Sequence, residues 1–151
     1  MTTLTPKENS LLKDLRSQEE LCVEKYTKHA AEACDQQLKD LFNKFAQQEQ
    51  QHIQTLDSIA AGTVPAVNAG GAPAPEPAFK ASCCPAEGKK NDEYLCADAL
   101  SSEKHVSSAY DTCIFEFTDP AVRAALNHIQ KEEQEHGEQV WRYMSVNNWY
   151  C

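Results

Sequence analysis

Two tetrapeptides carry the residue types with the most chemistry, Glu49-x-x-His52 and Glu133-x-x-His136. A carboxylate and an imidazole three residues apart on a helix lie one turn from each other and can hold a metal ion between them. Two copies imply two ions. Whether the copies meet depends on the elements that position them.

Those elements read as helices. Leu12, Leu15, Glu19, Cys22, Tyr26, Ala30 and Ala33 follow a three-four alternation over about 8–33, the spacing of one helix face. Asp35 is an N-cap for a second helix, with the stripe Leu38, Phe42, Phe45, Glu49, His52, Leu56 and Ile59. A third stripe, Cys96, Ala99, Glu103, Val106, Tyr110, Cys113 and Phe117, covers about 91–117. After Thr118-Asp119-Pro120, a cap followed by proline at the first helical position, the fourth carries Val122, Leu126, Ile129, Glu133, His136, Val140 and Tyr143.

Between about 61 and 90 the composition changes. Pro65, Gly70-Gly71, Pro73, Pro75, Pro77 and Pro85 break helix and strand alike, so this stretch is a crossover. Its length suffices to run back along a 22-residue helix, about 33 Å at 1.5 Å per residue.

An offset of 84 superposes the halves without a gap: Ser17 on Ser101, Glu19 on Glu103, Tyr26 on Tyr110, Asp35 on Asp119, Asn43 on Asn127, Glu49 on Glu133, Gln50 on Gln134 and His52 on His136. The chain is therefore expected to be one all-α domain, a four-helix bundle of two homologous hairpins at about 8–60 and 91–145, joined by the long crossover. Glu19 and Glu49 stand about equally far from one turn, as Glu103 and Glu133 do from the other. All four glutamates and both histidines should meet at one level, facing inward.

Four buried carboxylates need neutralising, because an uncompensated buried charge costs several kcal/mol. No Lys or Arg falls on the inward stripes. Metal ions or protons must supply the balance; two divalent cations held by four Glu and two His reach it, and this donor set suits iron, or less readily manganese. Tyr26 and Tyr110 share the face of Glu19 and Glu103, where they either pack or hydrogen-bond to a ligand carboxylate. Glu20, Glu24, Glu132, Glu135 and Glu138 fall off the stripes and are expected on a solvated face. His29, His105 and His128 lie off the metal level.

The net charge of −9 excludes the basic footprint of a nucleic-acid binder, and no apolar run approaches the 18 residues of a membrane span. The stretch Met1 to Lys7 lacks the apolar core of a secretory signal, so a cytoplasmic protein, or one assembled from the cytoplasm, is expected. Seven cysteines without an export signal are expected to remain mostly thiols. Cys22, Cys96 and Cys113 lie on apolar stripes as small core residues, and Cys83-Cys84 reads as a pair of ordinary surface thiols, with redox chemistry or cross-linking as the alternative.

The order Glu19, Tyr26, Glu49-x-x-His52, Glu103, Tyr110, Glu133-x-x-His136 resembles the ferritin-like superfamily, most of all the di-iron centre of bacterioferritin and, less closely, rubrerythrin. The resemblance implies terminal ligands Glu19 and Glu103, bridging ligands Glu49 and Glu133, and one His on each ion. No catalytic residue is implied beyond the ligands. Gln50 stands where bacterioferritin places its haem-ligating Met, so no haem is expected. The run from Leu11 to Cys22, continuing through Tyr26 to Cys34-Asp35, is similar to coat-F-type spore coat proteins.

Two functions follow from these resemblances. One is an oxidoreductase whose iron or manganese pair reacts with peroxide or O2, in the manner of a peroxidase, catalase or ferroxidase. The other is a structural spore-coat-associated protein in which the ions only stabilise the bundle. Its candidate partners are a small-molecule oxidant, a second copy in a homodimer, and other spore coat proteins.

Overall fold

The computed structural model describes residues 3–67 and 76–150. It holds four helices, α1 Pro6–Glu32, α2 Gln36–Ala60, α3 Ala86–Ile114 and α4 Pro120–Val146, and no strand among the described residues. They form two packed pairs, α1 with α2 and α3 with α4; α1 also lies against α3, and α2 against α4. Met1 and, in the crossover, Gly70, Gly71, Pro73 and Pro75 lie outside the described residues.

Each helix begins where its sequence offers a partner for free backbone N–H groups. Thr5 and Glu8 close a capping box ahead of α1, with Pro6 in its first turn. The Asp35 carboxylate accepts from Gln37 N at 2.9 Å, and that of Asp119 from Ala121 N at 2.8 Å. α2 ends at Ala60, and two residues on Gly62 turns the chain with a φ of 85°, a left-handed conformation that costs glycine no Cβ clash.

α3 starts at Ala86 rather than near 91, and ends at Ile114 rather than 117. Ala86-Glu87-Gly88-Lys89-Lys90 carries no apolar stripe, so periodicity could not mark this first turn. Gly88 lets it approach the α1–α2 turn, since a Cβ there would sit 2.7 Å from Cys34 Sγ. Phe117, beyond the helix, is still buried.

The 84-residue repeat reaches further than the sequence comparison placed it. Asp92 of α3 accepts from Cys34 N at 2.7 Å and Asp35 N at 2.9 Å, closing the first hairpin's turn. Its counterpart Glu8 accepts from Thr118 N at 2.8 Å, closing the second. Each hairpin thus caps the turn of the other. Hydrogen bonds from Thr118 and Thr5 hold the Glu8 carboxyl down to about 2.

The core is built from the predicted stripes, with Tyr26, Phe42, Phe45, Tyr110, Leu126 and Tyr143 fully buried. Cys22, Cys96 and Cys113 are buried thiols, as expected. Cys34 and Cys84, however, form a disulfide across 50 residues, so they are not the thiols the sequence suggested. The bond ties the crossover's end to the first turn, and leaves Cys83 exposed. The described end of the crossover is seated: Lys80 N donates to Gln37 Oε1 at 2.9 Å, Ser82 N to Asn147 Oδ1 at 2.8 Å, and the Phe79 ring meets Tyr143 at 5.5 Å.

Candidate metal centre

α1 delivers Glu19 and Tyr26, α2 Glu49 and His52, α3 Glu103 and Tyr110, and α4 Glu133 and His136. All eight side chains are buried. One ligand atom from each of Glu19, Glu49, His52 and Glu133 lies within 4.8 Å of the others, and the same holds for Glu49, Glu103, Glu133 and His136. Two groups of four thus share Glu49 and Glu133. Glu19 and His52 belong to the first group alone, Glu103 and His136 to the second.

Both imidazoles turn Nδ1 inward. His52 Nδ1 lies 2.8 Å from Glu49 Oε2 and 3.2 Å from Glu133 Oε1. His136 Nδ1 lies 3.3 Å from Glu49 Oε1 and 3.4 Å from both Glu103 Oε1 and Glu133 Oε2. The outer nitrogens are held by the opposite hairpin: His52 Nε2 is 2.9 Å from Glu132 Oε2, and His136 Nε2 is 2.9 Å from Gln48 Oε1. A ring donating from Nε2 leaves the Nδ1 lone pair facing the cluster, the orientation a ligand needs. The tyrosines cross in the same way. Tyr26 OH donates to Glu103 and Tyr110 OH to Glu19.

Much of the cluster remains unsatisfied. Among the described residues, Glu19 Oε2, Glu49 Oε1, Glu103 Oε2, both Glu133 oxygens and His136 Nδ1 have no hydrogen-bond partner. Buried polar atoms in native folds nearly always have one.

Burial pushes the Glu19 carboxyl up to about 8, and lifts Glu103 well above the usual range. It acts the same way on Glu49 and Glu133, but the facing His136 and His52 imidazoles outweigh it and hold both below the usual range. Burial alone would lower the two imidazoles; the surrounding carboxylates raise them instead. Without metal, only protons on these side chains can neutralise the cluster. Two divalent cations against four carboxylates reach the same neutrality with neutral rings. The donor set and the orphaned atoms fit such ions.

Among the described residues, Cys34, Cys84 and Asp92 are the third convergence of metal-binding types. The disulfide occupies its sulfurs, and the backbone of the first turn occupies its carboxylate.

Glu132, which its spacing puts on a solvated face, is instead half-buried against His52. The hydrogen bond to His52 holds its carboxyl below the usual range against the opposing effect of burial. Its signal lay in the register, since Glu132 and Gln48 occupy matching positions just before the motif glutamates. His128 Nε2 stands 3.6 Å from Glu132 Oε1, so it too belongs to the rim of this site. His29 faces Asp98 at 2.9 Å and His105 is exposed, both away from the cluster. A cavity of about 230 Å³ opens beside His52 and Glu132.

Residues 91–150 match the Coat F domain. The Coat F match covers the second hairpin, whereas the resemblance noted in the sequence rested on 11–35 in the first. The internal repeat connects the two observations. No curated protein and no solved structure matches the chain. Among the described residues, no helix is long and apolar enough to cross a membrane.

Proposed function

We propose that this chain is a spore-coat-associated bundle that takes two divalent metal ions, iron before manganese, into its core and is stabilised by them. The observation that carries the reading is the group of six buried, converging ligand side chains with six orphaned atoms. The Coat F match over 91–150 supports the location. The bundle is read as ferritin-like, with its crossover joining two homologous hairpins. Glu49 and Glu133, common to both groups, would hold both ions, with Glu19 and His52 completing the set for one and Glu103 and His136 for the other.

The chain's own residues prepare this site. Tyr26 and Tyr110 fix the Glu103 and Glu19 carboxylates from the opposite hairpin, and burial beside those carboxylates keeps the phenol protons in place. Glu132 and Gln48 fix the ring orientations of His52 and His136. The apolar stripes above and below exclude water, which strengthens every charge interaction inside. When bound, an iron or manganese pair supplies a redox couple able to react with peroxide or O2. The cavity beside His52 gives a small oxidant a way to the centre, which this second reading, an oxidoreductase, requires.

Elemental analysis of the purified protein, followed by thermal melts with and without a chelator, tests the proposal. Two ions per chain and a melt lowered by chelation are expected. No retained metal, or equal loading in a Glu49→Ala/Glu133→Ala variant, overturns it. Peroxide consumption by the iron-loaded protein would select the oxidoreductase over the staple.

A further inference from the structure

The bonds that cross between the hairpins are reciprocal in position but not in charge. His52 is held by the carboxylate of Glu132, His136 by the neutral amide of Gln48, and these two residues are counterparts in the repeat. A carboxylate on the outer nitrogen makes an imidazole a stronger metal donor than an amide does. The two halves of the centre are therefore unequal.

The approaches to the halves differ as well. Beside His52, the side chains of Gln51, Thr55, His128 and Glu132 line the cavity of about 230 Å³, together with crossover residues 65–67. In the repeat, the counterpart of His128 is Lys44 and that of Thr55 is Gln139. On the His136 side those counterparts are joined, with Lys44 Nζ 3.3 Å from Gln139 Oε1. One side thus offers an opening lined by a carboxylate and an imidazole. The other presents an ammonium group tied across the matching place. A divalent cation is drawn to the first and repelled by the second.

We propose that divalent cations are admitted through the cavity on the His52 side and fill the position of Glu19, Glu49, His52 and Glu133 before that of Glu49, Glu103, Glu133 and His136. Glu132 is the positioning residue that sets this order, and His128 assists at the mouth. The inference rests on the di-metal reading above.

Titration of the full, metal-stripped chain with Co(II), followed by visible absorption at equilibrium and by stopped flow, tests it. Wild type should bind two ions in two resolved steps. Glu132→Gln should weaken the first step about 10- to 100-fold, the usual cost of losing a partner behind a metal-bound histidine, and draw the two steps together. Gln48→Glu should tighten the second step. His128→Lys, which copies Lys44, should slow uptake about tenfold at unchanged final stoichiometry. Both rim residues are partly exposed, and far-UV dichroism checks that the variants fold; should Glu132→Gln fail to do so, His128→Lys still decides the route. Two bound ions with steps and rates unmoved by these variants would overturn the order while leaving the di-metal reading intact. Failure of wild type to bind any Co(II) would overturn the di-metal reading itself.

Discussion

On matching turns of α2 and α4 the two hairpins place the same carboxylate, Glu49 and Glu133, and three residues on the same imidazole. One residue before each carboxylate they part, with Gln48 on one side and Glu132 on the other. The same division holds at the turns, where Glu8 and Asp92 cap reciprocally, but Cys34 forms a disulfide at the position that Thr118 holds in the second hairpin. The six candidate ligands and the two tyrosines are duplicated, whereas the residues that flank the histidines at the rim, Gln48 and Glu132, Lys44 and His128, are not. Groups that must neutralise one another at the centre are mutually constrained, whereas rim residues answer only to their own side.

The comparison breaks most visibly at the shared ligands. Glu133→Ala should empty both metal positions and Glu19→Ala only one, as counted by elemental analysis; equal losses would mean that Glu133 is not shared. If the centre holds each ion at a thousandfold excess over Kd, each contributes about 4 kcal/mol and the pair about 8 kcal/mol. Chelation should then lower the melting temperature by about 20 °C.

Reduction of the Cys34–Cys84 bond should cost about 2–4 kcal/mol, read from the denaturation midpoint, since it reopens a loop spanning 50 residues. Thr118→Ser, at the matching position, should cost well under 1 kcal/mol, because the backbone N–H that Glu8 accepts remains.

Glu8→Gln should destabilise the fold by about 1–2 kcal/mol. Because its folded carboxyl titrates near 2 against 4.5 when free, its contribution is fully present above pH 4.5 and is lost as pH falls toward 2. Urea midpoints measured across that window should fall in wild type and flatten in the variant. An unchanged slope would show that Glu8 does not carry this pH dependence.

The smallest effect sharpens the symmetry. Tyr26→Phe and Tyr110→Phe should each cost about 1 kcal/mol, and equally, since each removes one hydrogen bond to a buried carboxyl. Unequal values would extend the asymmetry of the rim into the core.

Periodicity exposed the four helices and the inward stripes because each face must bury one row of side chains. The offset of 84 then aligned Glu19 with Glu103 and set all six candidate ligands at one depth. What periodicity could not show was direction across the bundle. Tyr26 lies on the helix of Glu19 yet serves Glu103, and Glu132, off the stripe by spacing, reaches His52 because the helices pack close enough for a rim side chain to lean over the neighbouring row. Nor could spacing pair Cys34 with Cys84, since proximity arises only once α3 starts early and Gly88 admits the sulfur.

The placement of that disulfide also bears on proteolysis. Any single cut in the crossover between Gly62 and Cys83 yields two fragments, one carrying Cys34 and its hairpin and the other beginning ahead of Cys84. They would stay covalently joined and run as one species until a thiol is added. A nicked molecule would thus keep both hairpins at fixed effective concentration, and backbone scission alone would not disperse the centre they build between them.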